Sequence, residues 1–466
     1  MVATRVRAEL RQQDATGREE GAVSSQAARV SLIVGLGATG ASVARYLVAR
    51  GERVRIVDSR AAPPGLGEVR SSGLKADVVL ESLDPRWLSG ASRVVLSPGL
   101  PMDLPLVVEA RRRGLAVLGD IELFALAARA PVIAVTGSNG KSTVTTLAAR
   151  ILQSQHLRAP AGGNLGPPAL DLLDLAADAY VLEISSFQME TTDSLAPLAA
   201  AVLNVSADHL DRHATLEAYA ELKEKLLRAA DRGIYNVDDA IVAKMGERHP
   251  AAVPFSVVRE LERGYSAVMR RGERWLARDG EPLAKSAELA IRGTHNEANA
   301  LAALALTEPL TTDLGAALGA LKSFPGLPHR CQHVGKRRGV TFVDDSKGTN
   351  VGATLAALRG FPGPLVLVAG GLAKGQDLAP LAAGGRGKLR AAVLIGTAAQ
   401  DLERVLASVA PCVRAASMDD AVAQAAALAK PGDTVLLSPA CASMDMFRDY
   451  RERGDLFARA VLELPE

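Results

Sequence analysis

From Val30 onward, short β-branched apolar runs alternate with Ala/Leu-rich stretches whose apolar positions recur at helical period, the pattern of parallel strands joined by crossover helices. The chain is an α/β protein. Its first strand, Val30-Ser-Leu-Ile-Val34, runs into Gly35-Leu-Gly37-Ala38-Thr39-Gly40 and a helix to about Ala49, and a second strand, Arg53-Val-Arg-Ile-Val57, ends at Asp58. Strands at 93–96 and 116–118 close a first nucleotide-type unit near Gly119. A second unit opens with a helix over 120–128 and the buried strand Val132-Ile-Ala-Val135, then continues through strands at 179–184 and 200–205. Phe324-Pro-Gly-Leu-Pro328 carries two prolines and a glycine and reads as an interdomain linker. Strands at 340–343, 365–369, 392–395 and 434–437 then build a third, doubly wound unit. The expected segments are a disordered tail (1–29) and domains at 30–119, 120–326 and 327–466.

Composition narrows the class. With 466 residues the chain has room for three cores, and 48% hydrophobic with 23% charged residues excludes a chain disordered throughout. A net charge of +2 gives no basic footprint for nucleic acid. Cys331, Cys412 and Cys441 are too scattered for a disulfide framework or metal knuckle, so the expected compartment is reducing and cytoplasmic. No apolar stretch is long enough to span a bilayer, and the polar start RAELRQQDATGREEG lacks the apolar segment of a secretory signal. With 8 Phe, 6 Tyr and 2 Trp, the cores must be built from Ala, Leu and Val.

The strongest chemical signal is Thr136-Gly137-Ser138-Asn139-Gly140-Lys141-Ser142-Thr143, placed between a buried strand and a helix expected to start near Ser142. Backbone N–H groups of such a loop cradle phosphate oxygens, Lys141 neutralises the outer phosphates, and Ser142 reaches a magnesium ion. The loop departs from the general Gly-x-x-x-x-Gly-Lys-Ser/Thr form, because position 135 is Val and its first usable glycine is Gly137. Glu183, in Val181-Leu-Glu183-Ile-Ser-Ser-Phe-Gln188, stands at the ligand edge of a parallel sheet; it reads as a magnesium ligand or an ordinary helix-start carboxylate. Asp208-His209-Leu-Asp211-Arg212-His213 follows another apolar strand and concentrates metal-capable side chains. The Gly35-x-Gly37-x-x-Gly40 loop with Asp58 reads as a dinucleotide site, a sugar-nucleotide diphosphate site, or close strand-helix packing.

Together with Asn236-Val-Asp238-Asp239 and Gly293-Thr-His295-Asn296-Glu-Ala-Asn299, these motifs resemble the Mur ligase family, the ATP-dependent amide-forming enzymes of peptidoglycan precursor synthesis and relatives of folylpolyglutamate synthetase. The resemblance runs from about Val30 to the C-terminus. It implies an N-terminal Rossmann-like domain, a central P-loop ATPase-type parallel sheet and a C-terminal Rossmann-like domain. Phe324 to Arg330, Asp344-Asp345-Ser346-Lys347-Gly348-Thr349-Asn350 and Ser438-Pro-Ala-Cys441-Ala-Ser443-Met-Asp445-Met-Phe447 are similar to the member that adds D-glutamate to UDP-N-acetylmuramoyl-L-alanine through an acyl phosphate.

The resemblance also implies residue roles. For the UDP-substrate these are Gly37, Ala38, Thr39, Ser59, Arg60, Ser97 and Gly99, with Asn164 at the muramoyl-alanine end. For ATP they are Gly137 to Thr143, Asn296, Asn299, Arg330 and Asp345. For glutamate they are Lys347, Thr349, Lys374, Ser443 and Tyr450. Two Mg2+ ions would be held by Ser142, Glu183, His209 and a carbamylated Lys223, and the catalytic set is Lys141, His209, Lys223 and Arg330. On sequence alone, Lys223 reads as part of a solvated helix face; the resemblance reverses that, with Lys225 pointing elsewhere. Tyr450 stands where Phe is expected, and Asp344 and Gly348 replace an expected Asn and Ala. The expected enzyme is a monomer acting on small molecules, with no nucleic-acid or membrane partner. A nicotinamide-dependent dehydrogenase resting on Gly35 to Asp58, a non-catalytic nucleotide switch, and another ligase of the family stay open as alternatives.

Overall fold

The computed structural model describes residues 30–208, 210–213 and 215–465, without the side chains of Leu210 and Asp211. The expected disordered tail and His209 lie outside the described residues. Three sheets follow one another along the chain. The first comprises β1 (Val30–Val34), β2 (Arg53–Val57), β3 (Ala76–Val79), β4 (Ala91–Leu96) and β5 (Ala116–Leu118), all parallel in the order β3-β2-β1-β4-β5. The order reverses beside β1, so the turn after β1 faces a crevice at the carboxyl edge, where open α/β sheets bind ligands.

The second sheet contains β6 (Val132–Thr136), β7 (Ala161–Gly163), β8 (Tyr180–Glu183), β9 (Ala199–Val202), β10 (Arg232–Asn236), β11 (Val253–Ser256), β12 (Tyr265–Arg270), β13 (Glu273–Arg278) and β14 (Glu281–Lys285). In space they run β14-β13-β12-β11-β10-β9-β6-β8-β7. The sheet is parallel from β7 to β12, and β13 and β14 add an antiparallel meander at one edge. Every residue of β6, β8 and β9 is buried, which explains their continuous apolar runs. The strand expected over 200–205 ends at Val202, because Asn204 turns its side chain back onto the backbone of Asn139. The helix after β6 begins at Lys141, one residue earlier than expected.

The third sheet holds β15 (Gln332–Arg337), β16 (Val340–Asp344), β17 (Leu365–Gly370), β18 (Leu389–Ile395), β19 (Cys412–Arg414) and β20 (Thr434–Leu437), ordered β15-β16-β20-β17-β18-β19, with β15 alone antiparallel. Separate apolar layers cover its two faces, one around Leu367 and Leu394, the other around Val366 and Phe457. By contrast, Ile33, Leu36 and Leu47 of the first unit share one core with Phe124, Leu170 and Tyr180 of the second. The first two units therefore pack as one body while the third keeps its own core. Phe324, expected in the linker, is buried in the central core, so the connection starts after it.

Candidate active site

Two cavities lie at the carboxyl edges of the sheets. The first, of about 270 Å³, is lined by Gly37, Ala38, Thr39, Ser59, Arg60, Ser97 and Gly99, seven of the eight residues expected for the UDP-substrate. Gly35 makes the turn with φ +96°, and a Cβ on Gly40 would lie 2.1 Å from the Gly35 carbonyl oxygen, so the helix sits tightly on the strand end. Asp58 is fully engaged: Oδ2 accepts from Leu36 N and Arg60 Nη2, both at 2.7 Å, and Oδ1 from Arg60 N and Nε, both at 2.9 Å. Although burial opposes its charge, these bonds hold the carboxyl at about 2. Both oxygens that a nicotinamide dinucleotide's ribose would need are thus committed, which weighs against the dehydrogenase alternative.

The second site is built around the phosphate loop. Gly140 caps the helix Lys141–Ser154 in the left-handed region (φ +85°), and a Cβ there would lie 2.6 Å from Oδ1 of Asn299. Lys141 Nζ donates to the carbonyls of Gly137 (2.9 Å) and Ser138 (3.0 Å); burial lowers its pKa, and nearby Glu183 draws it back up. Ser142 donates to Oε2 of Glu183, whose Oε1 accepts from Asn164 Nδ2 at 2.5 Å. Glu183 is 2% exposed and faces the loop, whereas Ser185 and Gln188 close the next helix start with a capping box of their own, so the helix-start reading of Glu183 does not hold. Asn164 belongs to this group and does not line the first cavity.

Lys223, in the helix Leu216–Ala229, is 1% exposed: Nζ donates to Gly137 O at 3.0 Å and lies 4.2 Å from the centroid of the Tyr219 ring. Burial, reinforced by the neighbouring Lys141, drives its pKa well below the ordinary lysine value. The solvated-face reading is therefore wrong for Lys223. Lys225 is half-buried and turns another way, its Nζ donating to Asp193 Oδ1 at 2.5 Å and to Met189 O at 3.3 Å.

From the third unit, Arg330 Nη2 donates to Ser142 Oγ at 2.6 Å, and Asn350 exchanges amide hydrogen bonds with Asn139 at 3.2 and 3.3 Å. A cavity of about 650 Å³ spans this seam, lined by Asn139, Gly140, Thr143, Asn296, Asn299, Arg330 and Asp345 among others. Burial lifts the Asp345 carboxyl to about 7, against the pull of the Ser438 hydroxyl. Asn204, Asp239 and His295 also border the cavity beyond the expected ATP contacts; Asp239 and His295 stand in two of the motifs quoted above, and Asn204 is polar just after an apolar strand.

Among the expected glutamate residues, Lys347 reaches the same cavity and rests 3.8 Å from the Tyr450 ring centroid, its pKa lowered to about 8 by burial. Thr349 follows it in the same turn, and Ser443 is buried in the loop after β20. Lys374 is exposed, and among the described residues no hydrogen bond or ion pair joins it to this group, so it is not gathered with them. Two of the three departures from the expected pattern, Gly348 and Asp344, have physical reasons. A Cβ on Gly348 would lie 2.6 Å from Asp345 Oδ2 and 2.9 Å from Ser438 Oγ, crowding the pair. Asp344 Oδ2 is 2.7 Å from His329 Nδ1, and this bond raises the imidazole pKa above 6.5. Because the folded value is the higher, the pair's stabilisation is complete below the unfolded value and is lost as pH rises through the folded one. Thermal melts across that window should show this loss, and Asp344→Asn should flatten it; an unchanged profile in the variant rules the pair out as its source.

A phosphate loop on one sheet, completed by cationic and amide side chains from a separately cored domain, defines a nucleotide-dependent enzyme of multidomain α/β type. Family models match three consecutive stretches: a MurD-like Mur ligase N-terminal domain (29–119), a Mur ligase middle domain (135–307) and a Mur ligase glutamate ligase domain (329–441). The chain belongs to the Mur ligase family. It is 47% identical over 442 residues to the UDP-N-acetylmuramoylalanine--D-glutamate ligase of Nitrosococcus oceani, covering 94% of this chain and 98% of that protein. The same-named protein of Pseudomonas aeruginosa is 45% identical, covering 93% and 98%. Solved structures with this fold include a pseudomurein peptide ligase type C from Methanothermus fervidus (TM-score 0.60, 18% identity, 93% of this chain and 99% of that one). UDP-N-acetylmuramate-alanine ligase from Thermotoga maritima matches similarly (TM-score 0.59, 19%, 93% and 99%).

Proposed function

We propose that the protein is an ATP-dependent ligase that joins D-glutamate to the alanyl carboxylate of UDP-N-acetylmuramoyl-L-alanine. The observation that carries this is the convergence of Lys141, Ser142, Glu183 and third-domain Arg330 on one phosphate loop, in a chain 47% identical to a relative so named. An alanyl carboxylate is a poor electrophile, and its charge repels the phosphate it must attack. Lys141 and Arg330 offset that repulsion and stabilise charge on the transferring phosphoryl group. The carboxylate oxygen bonds to the γ-phosphorus as ADP leaves, giving an acyl phosphate. The neutral glutamate amine then attacks the carbonyl carbon, loses a proton, and expels phosphate as the amide forms. Lys347 and Ser443 hold the incoming glutamate, and Asn164 orients the muramoyl-alanine end.

The serine hydroxyl and carboxylate pair of Ser142 and Glu183 fits a hard divalent cation, and these residues would hold Mg2+. Bound there, the ion supplies neutralisation of the phosphate charges. A second ion is assigned to His209 and a carbamylated Lys223; an ammonium would repel it. The junctions at 119/120 and 326/327 are read as domain boundaries, the second allowing the third domain to close and exclude water. The enzyme is read as a monomer. The nucleotide substrates support a cytoplasmic reaction. Among the described residues no helix is long and apolar enough to cross a membrane.

Phosphate release from ATP that requires both UDP-N-acetylmuramoyl-L-alanine and D-glutamate tests the reaction; release without glutamate would favour the nucleotide switch. Lys347→Ala and Ser443→Ala should chiefly raise the KM for glutamate, the lysine-carboxylate contact being worth about 1.5–3 kcal/mol. An unchanged KM removes them from the site. For the first cavity, calorimetry should show UDP-substrate binding and no competing NAD. Saturable NAD binding that displaces the UDP-substrate would restore the dehydrogenase reading.

A further inference from the structure

The first cavity and the phosphate loop sit on different sheets, yet a run of side chains joins them. It starts at Leu100, in the loop bordering the first cavity. Nη2 of Arg212 donates to the Leu100 carbonyl at 2.7 Å and to Oε2 of Glu190 at 2.6 Å, and the guanidinium lies 5.0 Å from the Phe187 ring centroid. Glu190 also faces Nδ1 of the next residue, His213, at 3.6 Å. His213 stacks on Phe187 with centroids 5.1 Å apart, lies 2.9 Å from Ser186 Oγ through Nε2, and packs 5.2 Å from the Tyr219 ring. Tyr219 completes the run, its hydroxyl accepting from Oγ of Ser138, inside the phosphate loop, at 3.2 Å.

The run is largely shielded as well as continuous. The Arg212 and Glu190 side chains are 16% and 14% exposed, and His213 and Tyr219 are 7% and 2% exposed. Close-packed side chains pass on a displacement instead of absorbing it. Within the run, Arg212 bonds to the loop of the first cavity and Tyr219 bonds to Ser138.

We propose that Arg212 is a positioning residue that couples the two sites. Filling the first cavity fixes the loop at Leu100, and through Arg212, His213 and Tyr219 it fixes Ser138, so that UDP-substrate and ATP each tighten the binding of the other. This rests on the reading that the first cavity holds the UDP-substrate and the loop 137–143 the ATP phosphates. Linkage makes the effect reciprocal, so either ligand can be titrated.

The test is calorimetric titration of adenosine 5′-(β,γ-imido)triphosphate with Mg2+, with and without saturating UDP-N-acetylmuramoyl-L-alanine and with no glutamate present. In the unmodified protein the UDP-substrate should tighten the nucleotide by at least about fivefold. Arg212→Met keeps the aliphatic length and removes the bonds to Leu100 and Glu190; Tyr219→Phe removes only the hydroxyl. Each should bring the ratio toward unity while either ligand alone binds within about twofold of normal. The double variant should lower the ratio no further than the stronger single change, because both cut one chain. A merely structural role does the opposite, weakening each ligand alone and leaving the ratio intact. A ratio of unity in the unmodified protein, or an unchanged ratio in Tyr219→Phe, overturns the proposal even if Arg212→Met fails to fold. Arg60→Ala separates the two levels. If it leaves UDP-substrate binding untouched, the site assignment fails and the coupling with it; if it weakens that binding and the ratio is still unity, the coupling alone fails.

Discussion

Lys141→Ala should abolish acyl-phosphate formation while leaving UDP-substrate binding nearly unchanged. Lys141 is the cation carried by the phosphate loop itself, held by the Gly137 and Ser138 carbonyls at the start of the helix Lys141–Ser154. Burial weakens its charge, and a polyphosphate arriving beside it would favour the charged form. Removing a cation aimed at the transferring group costs at least about 10²-fold in turnover. The first cavity is built by the turns after β1, β2 and β4, none of which contains Lys141. Single-turnover phosphate release and a binary UDP-substrate titration measure the two sides. Equal loss in both would show that the two sites are not separable.

What could be read from the sequence, and what could not, follows from the range of the forces involved. β1, β6 and β17 are uniformly buried or nearly so, and a continuous apolar run ended by glycine marks such strands locally. β7 has three residues, two of them glycine, and β13 and β15 mix charge into their runs, so neither length nor pattern reveals them. The chemistry divides in the same way. The phosphate loop after β6 announces itself because its backbone geometry requires glycines at fixed places, whereas Glu183 at the end of β8 has two readings until Ser142 is found beside it. Asn350 pairs with Asn139 across 211 positions, and nothing near either residue predicts the other. Asp344 is the instructive case: a departure from the resembling pattern becomes legible only when His329 is found beside it.

Lys223 is where local pattern and tertiary environment disagree most sharply, and its replacement carries the second large effect. Glu221, Lys223, Glu224 and Lys225 look like one exposed face, but Lys223 points inward between the Tyr219 ring and the phosphate loop, whereas Lys225 pairs with Asp193 outside. A lysine so buried is held toward the neutral amine, the form that attacks carbon dioxide. On the proposed carbamylation the nitrogen would bond to the carbon, a proton would pass to solvent, and the side chain would become an oxygen-donor anion suited to a hard cation. Lys223→Ala should therefore be nearly inactive, Lys225→Ala nearly normal, and acetate should partly rescue the first by returning a carboxylate to the space left behind. Because a cavity at a buried site also costs stability, Lys223→Met serves as the companion: it keeps most of the volume, cannot be carbamylated, and should melt near the unmodified protein while remaining inactive. A readout independent of activity comes from ¹³C-labelled carbon dioxide, which should give one carbamate resonance that Lys223→Met loses and Lys225→Ala keeps. Full activity in Lys223→Met, or active protein with no carbamate resonance, would end this assignment and leave Lys223 as a neutral prop beneath Gly137.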